Sequence, residues 1–255
     1  MKKARVAING FGRIGRLFFR QAFSAGRLWR ASPLAGGGSS SGGDFEIVAV
    51  NDLGDIENLA YLLKYDTVYG CYKEDVKADK KTNELVVEGK KIKVFQIKEP
   101  KELPWKDLKI DIVVEATGFF ESYDKAKAHL KAGAKRVIIT APAKDPDAPP
   151  GGGEGKTVLM GVNEGELKTT VLTSNGSCTT NAASPVIAIM SENPGIVKAI
   201  LNTVHGYTAT QNLVDGPVRG SDFRRGRAAA QNIVPSTTGA AIAVTRALPE
   251  LSGKF

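Results

Sequence analysis

A glycine-rich segment near the start of the chain constrains the fold more than any other feature. Gly10, Gly12 and Gly15 form a G-x-G-x-x-G pattern directly after the β-prone run 5–9, where apolar residues begin to recur at helical spacing. Between a strand and a helix, such glycines let the backbone approach a pyrophosphate, which the helix N-terminus stabilises. The pattern alone is weak, because an ordinary tight turn can contain the same glycines. It predicts a dinucleotide site only together with the rest of a βαβ unit.

The rest of that unit follows in the sequence. A second β-prone run, 46–50, ends in Asn51 and Asp52, and a carboxylate at this point binds the ribose 2′-hydroxyl in dinucleotide-binding folds. Asp52 lies 37 residues after Gly15. Subtracting an insertion of about 17 residues around the Gly/Ser-rich stretch 35–43 restores the usual spacing of about 20. Because this carboxylate would repel a 2′-phosphate, the sequence predicts NAD rather than NADP as the cofactor.

Strand and helix patterns alternate through residues 1–174. β-prone runs at 111–115 and 136–140 flank a helical segment at 123–132, and a hairpin is predicted at 85–95. This alternation predicts an α/β fold, with a Rossmann-type doubly wound parallel sheet and helices on both faces.

The pattern changes in the remaining part of the chain. A Pro/Gly-rich stretch at 145–155 is a second predicted insertion, and residues 175–255 are assigned to an α+β catalytic domain. Within it the sequence predicts a strand over 196–208, a polar loop over 209–231 and a helix over 237–248.

Composition narrows the class of protein. The chain has 255 residues, 42% of them hydrophobic and 24% charged, which is typical of a globular protein with one large or two modest domains. Its two cysteines, 107 positions apart, give neither a disulfide framework nor a metal site, so we expect a reducing, cytoplasmic location and no metal. The uncharged stretch 169–191 is too polar to span a membrane. A net charge of +8 suits nucleic acid and an anionic small ligand equally well.

Cys178 is the candidate nucleophile. It lies between a predicted strand and a predicted helix, where the helix dipole favours the thiolate. Most free cysteines are small core residues, but the polar neighbours Ser177 and Thr179 argue against an apolar pocket. His205, 27 residues further on, would complete the minimum for an activated nucleophile, although a lone histidine in a strand is more often structural.

The remaining residues of these types are given structural or open assignments. Cys71 lacks the context of Cys178 and is assigned to structure, and His129 is predicted to lie on the solvated surface of an amphipathic helix. Threonines and arginines between 208 and 238 could bind phosphate or could form a solvated basic loop.

Several stretches together give the chain a family resemblance. They include INGFGRIGR, EATGFF, SNGSCTTNAASP, TVHGYTATQ and LPELSGK, and with similar segments they cover the chain from 6 to 254 apart from the two insertions. On these stretches the chain resembles the phosphorylating glyceraldehyde-3-phosphate dehydrogenases.

The resemblance implies a role for each candidate residue. Cys178 is implied to be the nucleophile and His205 its activator and base. The residues implied to bind NAD are Gly10, Gly12, Arg13, Ile14, Asp52, Lys98 and Thr140, with Lys98 standing where the family more often has arginine. The residues implied to bind the phosphate groups of the substrate and of inorganic phosphate are Ser177, Thr179, Thr208, Thr210, Arg225, Thr238 and Gly239.

The activity implied by the resemblance is the NAD-dependent oxidative phosphorylation of glyceraldehyde 3-phosphate to 1,3-bisphosphoglycerate, a step of glycolysis, by a cytoplasmic homotetramer. Two alternatives stay open: an erythrose-4-phosphate dehydrogenase, and an impaired fragment that binds only nucleotide or RNA. Members of the family continue beyond the position of Phe255 with more of the catalytic sheet, a further phosphate-binding arginine and a C-terminal helix. The expectation is therefore an incomplete catalytic domain with weak or no turnover.

Overall fold

The fold is described from a computed structural model of the chain, which covers residues 3–28, 45–148, 155–218 and 220–255. The predicted insertion at 35–43 lies outside these residues, as does the part 149–154 of the second insertion. By their contacts the residues divide into two compact units, 1–177 and 178–255.

Short runs rich in valine, isoleucine and alanine form the strands of the first unit. The strands are β1 (Ala4–Asn9), β2 (Phe45–Asn51), β3 (Tyr65–Asp66), β4 (Gly70–Cys71), β5 (Val76–Asp79), β6 (Glu84–Val87), β7 (Lys90–Phe95), β8 (Ile112–Glu115), β9 (Arg136–Ile139), β10 (Lys156–Thr157) and β11 (Leu172–Ser174). Nine of them form one sheet in the order β10-β11-β9-β8-β1-β2-β7-β6-β5. Neighbouring strands in that sheet are parallel, apart from the pairs β5–β6 and β6–β7, which are antiparallel. Strands β3 and β4 pair with each other in a separate two-stranded sheet.

Both faces of this sheet are apolar. In β1, Val6 and Ile8 belong to one buried cluster and Ala7 to another, because successive residues of a strand point to opposite faces. Helices α1 (Arg13–Leu28) and α2 (Ile56–Lys64) contribute Phe19 and Leu63 to the first cluster, and α3 (Tyr123–Lys131) contributes to the second. The predicted α/β fold, a largely parallel sheet with helices on both faces, is confirmed.

The order of the strands places a crevice at one edge of the sheet. From β1 the chain proceeds to β2 on one side, whereas β8 pairs with β1 on the other side. In open α/β sheets, ligands bind beyond the carboxyl ends of the strands where the order reverses in this way. Here that place is the end of β1 and β8, next to the glycine-rich turn.

His129 is buried, so its predicted place on the solvated surface of a helix was wrong. The side chains of Tyr123, Ala126 and His129 are all buried, because residues three apart share one face of α3 and that face packs on the sheet. Polar partners described below compensate for the burial of the imidazole.

The second unit contains helices α4 (Cys178–Glu192) and α5 (Ala240–Ala247), and α5 lies within the predicted helical segment 237–248. The strand predicted over 196–208 is absent, and the described residues from 178 onward contain no strand at all. A β-prone run forms a strand only when another strand satisfies its backbone hydrogen bonds, and here none does. Val197, Ile200 and Val204 consequently lie exposed to solvent.

Candidate active site

Each glycine of the G-x-G-x-x-G turn has a distinct steric role. Gly10 has a φ of +90°, and a Cβ there would lie 2.6 Å from the backbone of Ala116 and Thr117. A Cβ on Gly15 would lie 2.1 Å from the carbonyl oxygen of Gly10, whereas one on Gly12 would meet nothing within 4 Å. The lack of a side chain at Gly10 and Gly15 therefore allows the strand and the helix to pack closely. Gly12 instead leaves open space over the first turn of α1, where a phosphate can approach the backbone.

A cavity of about 750 Å³ lies at this edge of the first unit. Its volume falls within the range of about 300 to 1,000 Å³ that is usual for small-molecule sites. Gly10, Gly12, Asp52 and Lys98 line it, four of the residues that the resemblance implied for the cofactor.

The Asp52 carboxylate joins the glycine turn to the end of β2. Its Oδ2 accepts a hydrogen bond from the Phe11 amide at 2.7 Å, and its Oδ1 accepts one from the Gly54 amide at 2.8 Å. The two backbone donors hold the carboxylate at the cavity wall, the position that recognises a ribose hydroxyl in this type of fold.

The other three predicted cofactor residues do not line the cavity. Arg13 pairs with Asp66 at 2.8 Å and lies over the ring of Tyr69, and Ile14 is half exposed at the start of α1. Thr140 follows β9 and donates through both its amide and its hydroxyl to the carbonyl oxygen of Glu115.

The cavity also contains residues that the sequence assignment missed. Asn9, Asn51, Thr117 and Phe119 line it, and each lies at or just beyond the carboxyl end of a strand. That position was the available signal, because the carboxyl ends of parallel strands meet at one edge of a sheet.

The second unit brings Cys178 and His205 together. Cys178 is the first residue of α4, and its Sγ lies 3.1 Å from Nε2 of His205. On the other side of the ring, Nδ1 of His205 lies 2.6 Å from the carbonyl oxygen of Gly206. A carbonyl only accepts, so Nδ1 carries a proton and Nε2 faces the sulfur. This is the arrangement of an activated thiol nucleophile.

The electrostatics of the pair favour separated charges. Partial loss of water around the sulfur acts to raise the pKa of Cys178, but the hydrogen bond and charge of His205, with the amide and hydroxyl of Thr179, lower it below the usual thiol value. The Gly206 carbonyl and the Cys178 sulfur raise the pKa of His205 above its ordinary value. Both shifts favour a thiolate beside an imidazolium, and the α4 N-terminus acts in the same direction.

The predicted phosphate-binding residues fall into three groups. Thr208 and Thr210 share a hydroxyl–hydroxyl hydrogen bond of 3.1 Å, and Arg225 donates to the Thr210 hydroxyl at 2.8 Å. Ser177 and Thr179 flank Cys178 in the chain.

Thr238 and Gly239 lie at the start of α5. Gly239 is the residue that caps this helix, and the Thr238 hydroxyl accepts a hydrogen bond from the Ala240 amide at 3.2 Å.

Within residues 3–28, 45–148, 155–218 and 220–255, no helix is long and apolar enough to cross a membrane. Over the same residues, no three histidine, cysteine or acidic side chains are gathered as metal ligands.

Family models match both units. A model described as the NAD binding domain of glyceraldehyde 3-phosphate dehydrogenase matches residues 4–123. A second, described as the C-terminal domain of glyceraldehyde 3-phosphate dehydrogenase, matches residues 177–255.

Curated relatives are similar over almost the whole chain. A glyceraldehyde-3-phosphate dehydrogenase of Thermotoga maritima is 49% identical over 242 residues, covering 94% of this chain and 65% of the relative. Glyceraldehyde-3-phosphate dehydrogenase 2 of Streptomyces avermitilis is 46% identical, with 98% of this chain and 67% of the relative covered. Glyceraldehyde-3-phosphate dehydrogenase 2 of Bacillus subtilis is 43% identical, with 99% and 66% covered. The chain thus spans about 65% of the length of the first of these relatives.

Proposed function

Since this chain belongs to the glyceraldehyde-3-phosphate dehydrogenase family, we propose that it acts on glyceraldehyde 3-phosphate, NAD and inorganic phosphate to form 1,3-bisphosphoglycerate. The observation that carries the proposal is the 3.1 Å contact between Cys178 Sγ and His205 Nε2 at the N-terminus of a helix. A thiolate at that place is the nucleophile that covalent aldehyde oxidation requires.

The residues of the first unit fit NAD. Gly12 leaves the first turn of α1 open for a pyrophosphate, Asp52 presents its carboxylate to a ribose, and Lys98 lines the same cavity. Arg13, Ile14 and Thr140 would support the cofactor from around that cavity. NAD, when bound, supplies the hydride acceptor for the reaction.

The covalent chemistry belongs to Cys178 and His205. The Cys178 thiolate adds to the aldehyde carbon, and the His205 imidazolium donates to the oxyanion that develops there. Neutral His205 then serves as the base: it takes the proton back as that oxygen returns to a carbonyl and the carbon gives up its hydride to the acceptor. The acyl group remains on Sγ as a thioester. Attack by inorganic phosphate on the thioester releases the acyl phosphate and restores the thiolate.

Hydroxyl and guanidinium groups of Ser177 and of the second unit are suited to the anionic substrates. Thr208, Thr210 and Arg225 already share hydrogen bonds, so their donors are organised before an anion arrives. The full set proposed for the phosphate groups is Ser177, Thr179, Thr208, Thr210, Arg225, Thr238 and Gly239.

The proposal extends to location and assembly. The two free cysteines suit a reducing compartment, so we expect the protein in the cytoplasm. We expect the protein to be a homotetramer, which sedimentation equilibrium at several concentrations would test.

The decisive experiment mixes the purified chain with NAD, inorganic phosphate and glyceraldehyde 3-phosphate and follows the absorbance of NADH. We expect phosphate-dependent NADH formation at a low rate and, when phosphate is omitted, an acyl adduct on Cys178 that intact-mass spectrometry detects. Cys178→Ala should lose both signals, and Cys71→Ser is the matched control that should keep them. NADH formation by Cys178→Ala, or the absence of any adduct on a folded wild-type chain, would reject the proposal.

A further inference from the structure

A continuous chain of buried polar side chains lies beneath the cavity of the first unit. Asn51 Nδ2 donates to Asn9 Oδ1 at 2.7 Å, and Asn9 Nδ2 donates to Glu115 Oε2 at 2.6 Å. His129 Nε2 lies 2.9 Å from the same Glu115 oxygen, and Trp105 Nε1 lies 2.9 Å from His129 Nδ1. All five residues are at most 5% exposed.

One end of this chain is fixed by the backbone of Ile97. The Ile97 amide donates to Asn51 Oδ1 at 2.9 Å, and the Ile97 carbonyl accepts from Asn51 Nδ2 at 2.9 Å. Since a backbone amide only donates and a carbonyl only accepts, the Asn51 amide has one possible orientation. Its Nδ2 then requires Asn9 to present Oδ1, which turns the Asn9 NH₂ group towards Glu115.

The other end is fixed by Trp105. The indole Nε1–H is a donor only, so His129 Nδ1 must accept and therefore carries no proton. The proton of the neutral ring is on Nε2, and His129 donates to Glu115 Oε2.

Both ends therefore direct donors at Glu115. Asn9 and His129 donate to Oε2, while the amide of Thr117 donates to Oε1 at 2.8 Å and the Thr117 hydroxyl donates to the same oxygen. A group that faces donors on both oxygens fits the ionised carboxylate, which only accepts. Among the described residues, Glu115 has no lysine or arginine in ion-pair contact, and its described partners are these hydrogen-bond donors.

The location of the Glu115 carboxylate indicates the function of the network. Glu115 ends β8 and Asn9 ends β1, the two strands at which the order of the sheet reverses. Asn9, Asn51 and Thr117 line the cavity itself, whereas His129 and Trp105 lie behind it. The network thus joins the ends of three strands at the edge where the dinucleotide would bind.

We propose that Glu115 and His129 are positioning residues for the dinucleotide: the His129 N–H holds Glu115, and Glu115 holds Asn9 and Thr117 in the cofactor-binding arrangement. The inference rests on the proposed function, because it assumes that the cavity binds NAD. Neither residue touches the cavity through a reacting group, so both act through Asn9 and Thr117.

Two conservative variants at one position separate this role from mere stability. A glutamine amide reaches the place of Nε2, so His129→Gln keeps a donor to Glu115 and leaves the Trp105 indole unpaired. An asparagine amide reaches the place of Nδ1, so His129→Asn keeps the partner of Trp105 and loses the donor to Glu115. NAD affinity, measured by calorimetry, should fall about tenfold or more in His129→Asn and less than about threefold in His129→Gln.

A second measurement uses the chain without NAD. The amides of Thr117 and Ile97 both donate into the network, so their hydrogen exchange should accelerate in His129→Asn and more strongly in Glu115→Gln. In Glu115→Gln, either orientation of the side-chain amide places its NH₂ group against a donor. If Glu115→Gln does not fold, the two His129 variants decide the question by themselves.

The outcomes distinguish the inference from the function it rests on. Selective loss of NAD affinity in His129→Asn, with faster exchange at Thr117, supports the positioning role. If affinity follows the free energy of unfolding in both variants, or if exchange at Thr117 is unchanged, the positioning role is overturned while the proposed function stands. If the wild-type chain binds no NAD, the proposed function fails and the positioning role falls with it.

Discussion

At the scale of single residues, the ionisation of Cys178 depends on one residue next to it in the chain and on one that is distant in the sequence. Thr179 follows it directly and donates to the sulfur, whereas His205 is 27 residues away and supplies the charge. The two side chains titrate as a pair, so their ionisation is a property of the pair rather than of either residue.

Alkylation by iodoacetamide tests this pair directly, in a Cys71→Ser background that leaves one thiol. Because the pKa of Cys178 is lowered, the thiolate should persist to lower pH than in an ordinary cysteine, whose pKa is near 8.5. His205→Asn removes the stabilising charge, so the rate at pH 7 should fall by about tenfold and the midpoint should move to higher pH. Identical pH–rate profiles for the two chains would contradict the ion pair.

Cofactor preference is also decided by a single residue. Asp52→Asn removes the negative charge that would repel a 2′-phosphate, so the ratio of the NADP and NAD dissociation constants should fall by about tenfold. Asp55→Asn is the matched control, because Asp55 caps α2 nearby and asparagine caps equally well. Equal ratios in the wild type and in Asp52→Asn, measured by fluorescence titration, would exclude this role of Asp52.

At the scale of elements, the glycines of the turn between β1 and α1 serve two purposes, close packing and cofactor binding, and two variants separate them. Gly15→Ala places a Cβ against the Gly10 carbonyl, so we expect a loss of about 2 kcal/mol or more in the free energy of unfolding. Gly12→Ala meets no protein atom and should change stability by about 0.5 kcal/mol or less, yet it should weaken NAD binding because the methyl group occupies the approach of the phosphates. Urea unfolding and calorimetry check the two expectations. Unchanged NAD affinity in Gly12→Ala would show that the pyrophosphate does not bind at this turn.

The contact between α1 and β3 is sensitive to acid. The Tyr69 amide, with the amide of Val68 and the charge of Arg13, lowers the pKa of Asp66 to about 2, against the opposing effect of lost water. A depressed carboxyl pKa stabilises the fold above the unfolded value near 3.9, and this contribution is lost as the pH falls through about 2. An NMR titration of Asp66 should show the low midpoint, and Arg13→Gln should raise it. A midpoint near 3.9 in the wild type would contradict the contact.

At the scale of the whole molecule, the two units differ in how much of their backbone is paired. The first unit has a nine-stranded sheet with apolar clusters on both faces. In the second unit the described residues between α4 and α5 form no strand and only one 3-10 helix, Phe223–Gly226, and Val197, Ile200 and Val204 are exposed by 89%, 97% and 97%.

Hydrogen exchange measured by mass spectrometry should reflect this difference. Peptides from β1, β2 and β8 should be the slowest to exchange, because their amides are paired and buried. Peptides from 196–207 should exchange much faster, since strand pairing is absent there and Ala199 is the one residue of this segment whose amide is described as donating to another backbone group, the Lys254 carbonyl. Protection of 196–207 equal to that of β1 would mean that this segment is paired in solution. That result would contradict the backbone conformation described for it.

The sequence by itself determined the features that depend on neighbouring residues. The glycine pattern after a β-prone run, the alternation of strands and helices, and the placement of Cys178 at a helix start all follow from spacings of a few residues. The α/β fold was predicted correctly for that reason, because periodicity and helix polarity act over one or two turns. The family was predicted from the resemblance of short segments such as SNGSCTTNAASP and TVHGYTATQ.

Only the tertiary structure decided which distant groups meet. Asn9 and Glu115 are 106 residues apart, and no local pattern indicates that their side chains share a hydrogen bond. His129 looked like a surface residue because its immediate neighbours are lysines and alanines, yet Trp105 and Glu115 satisfy both of its nitrogens in the interior. The run 196–208 has strand propensity but no strand to pair with. Burial and pairing are properties of the packed molecule, since a polar group or a strand is stable only when another part of the chain supplies its hydrogen-bond partners.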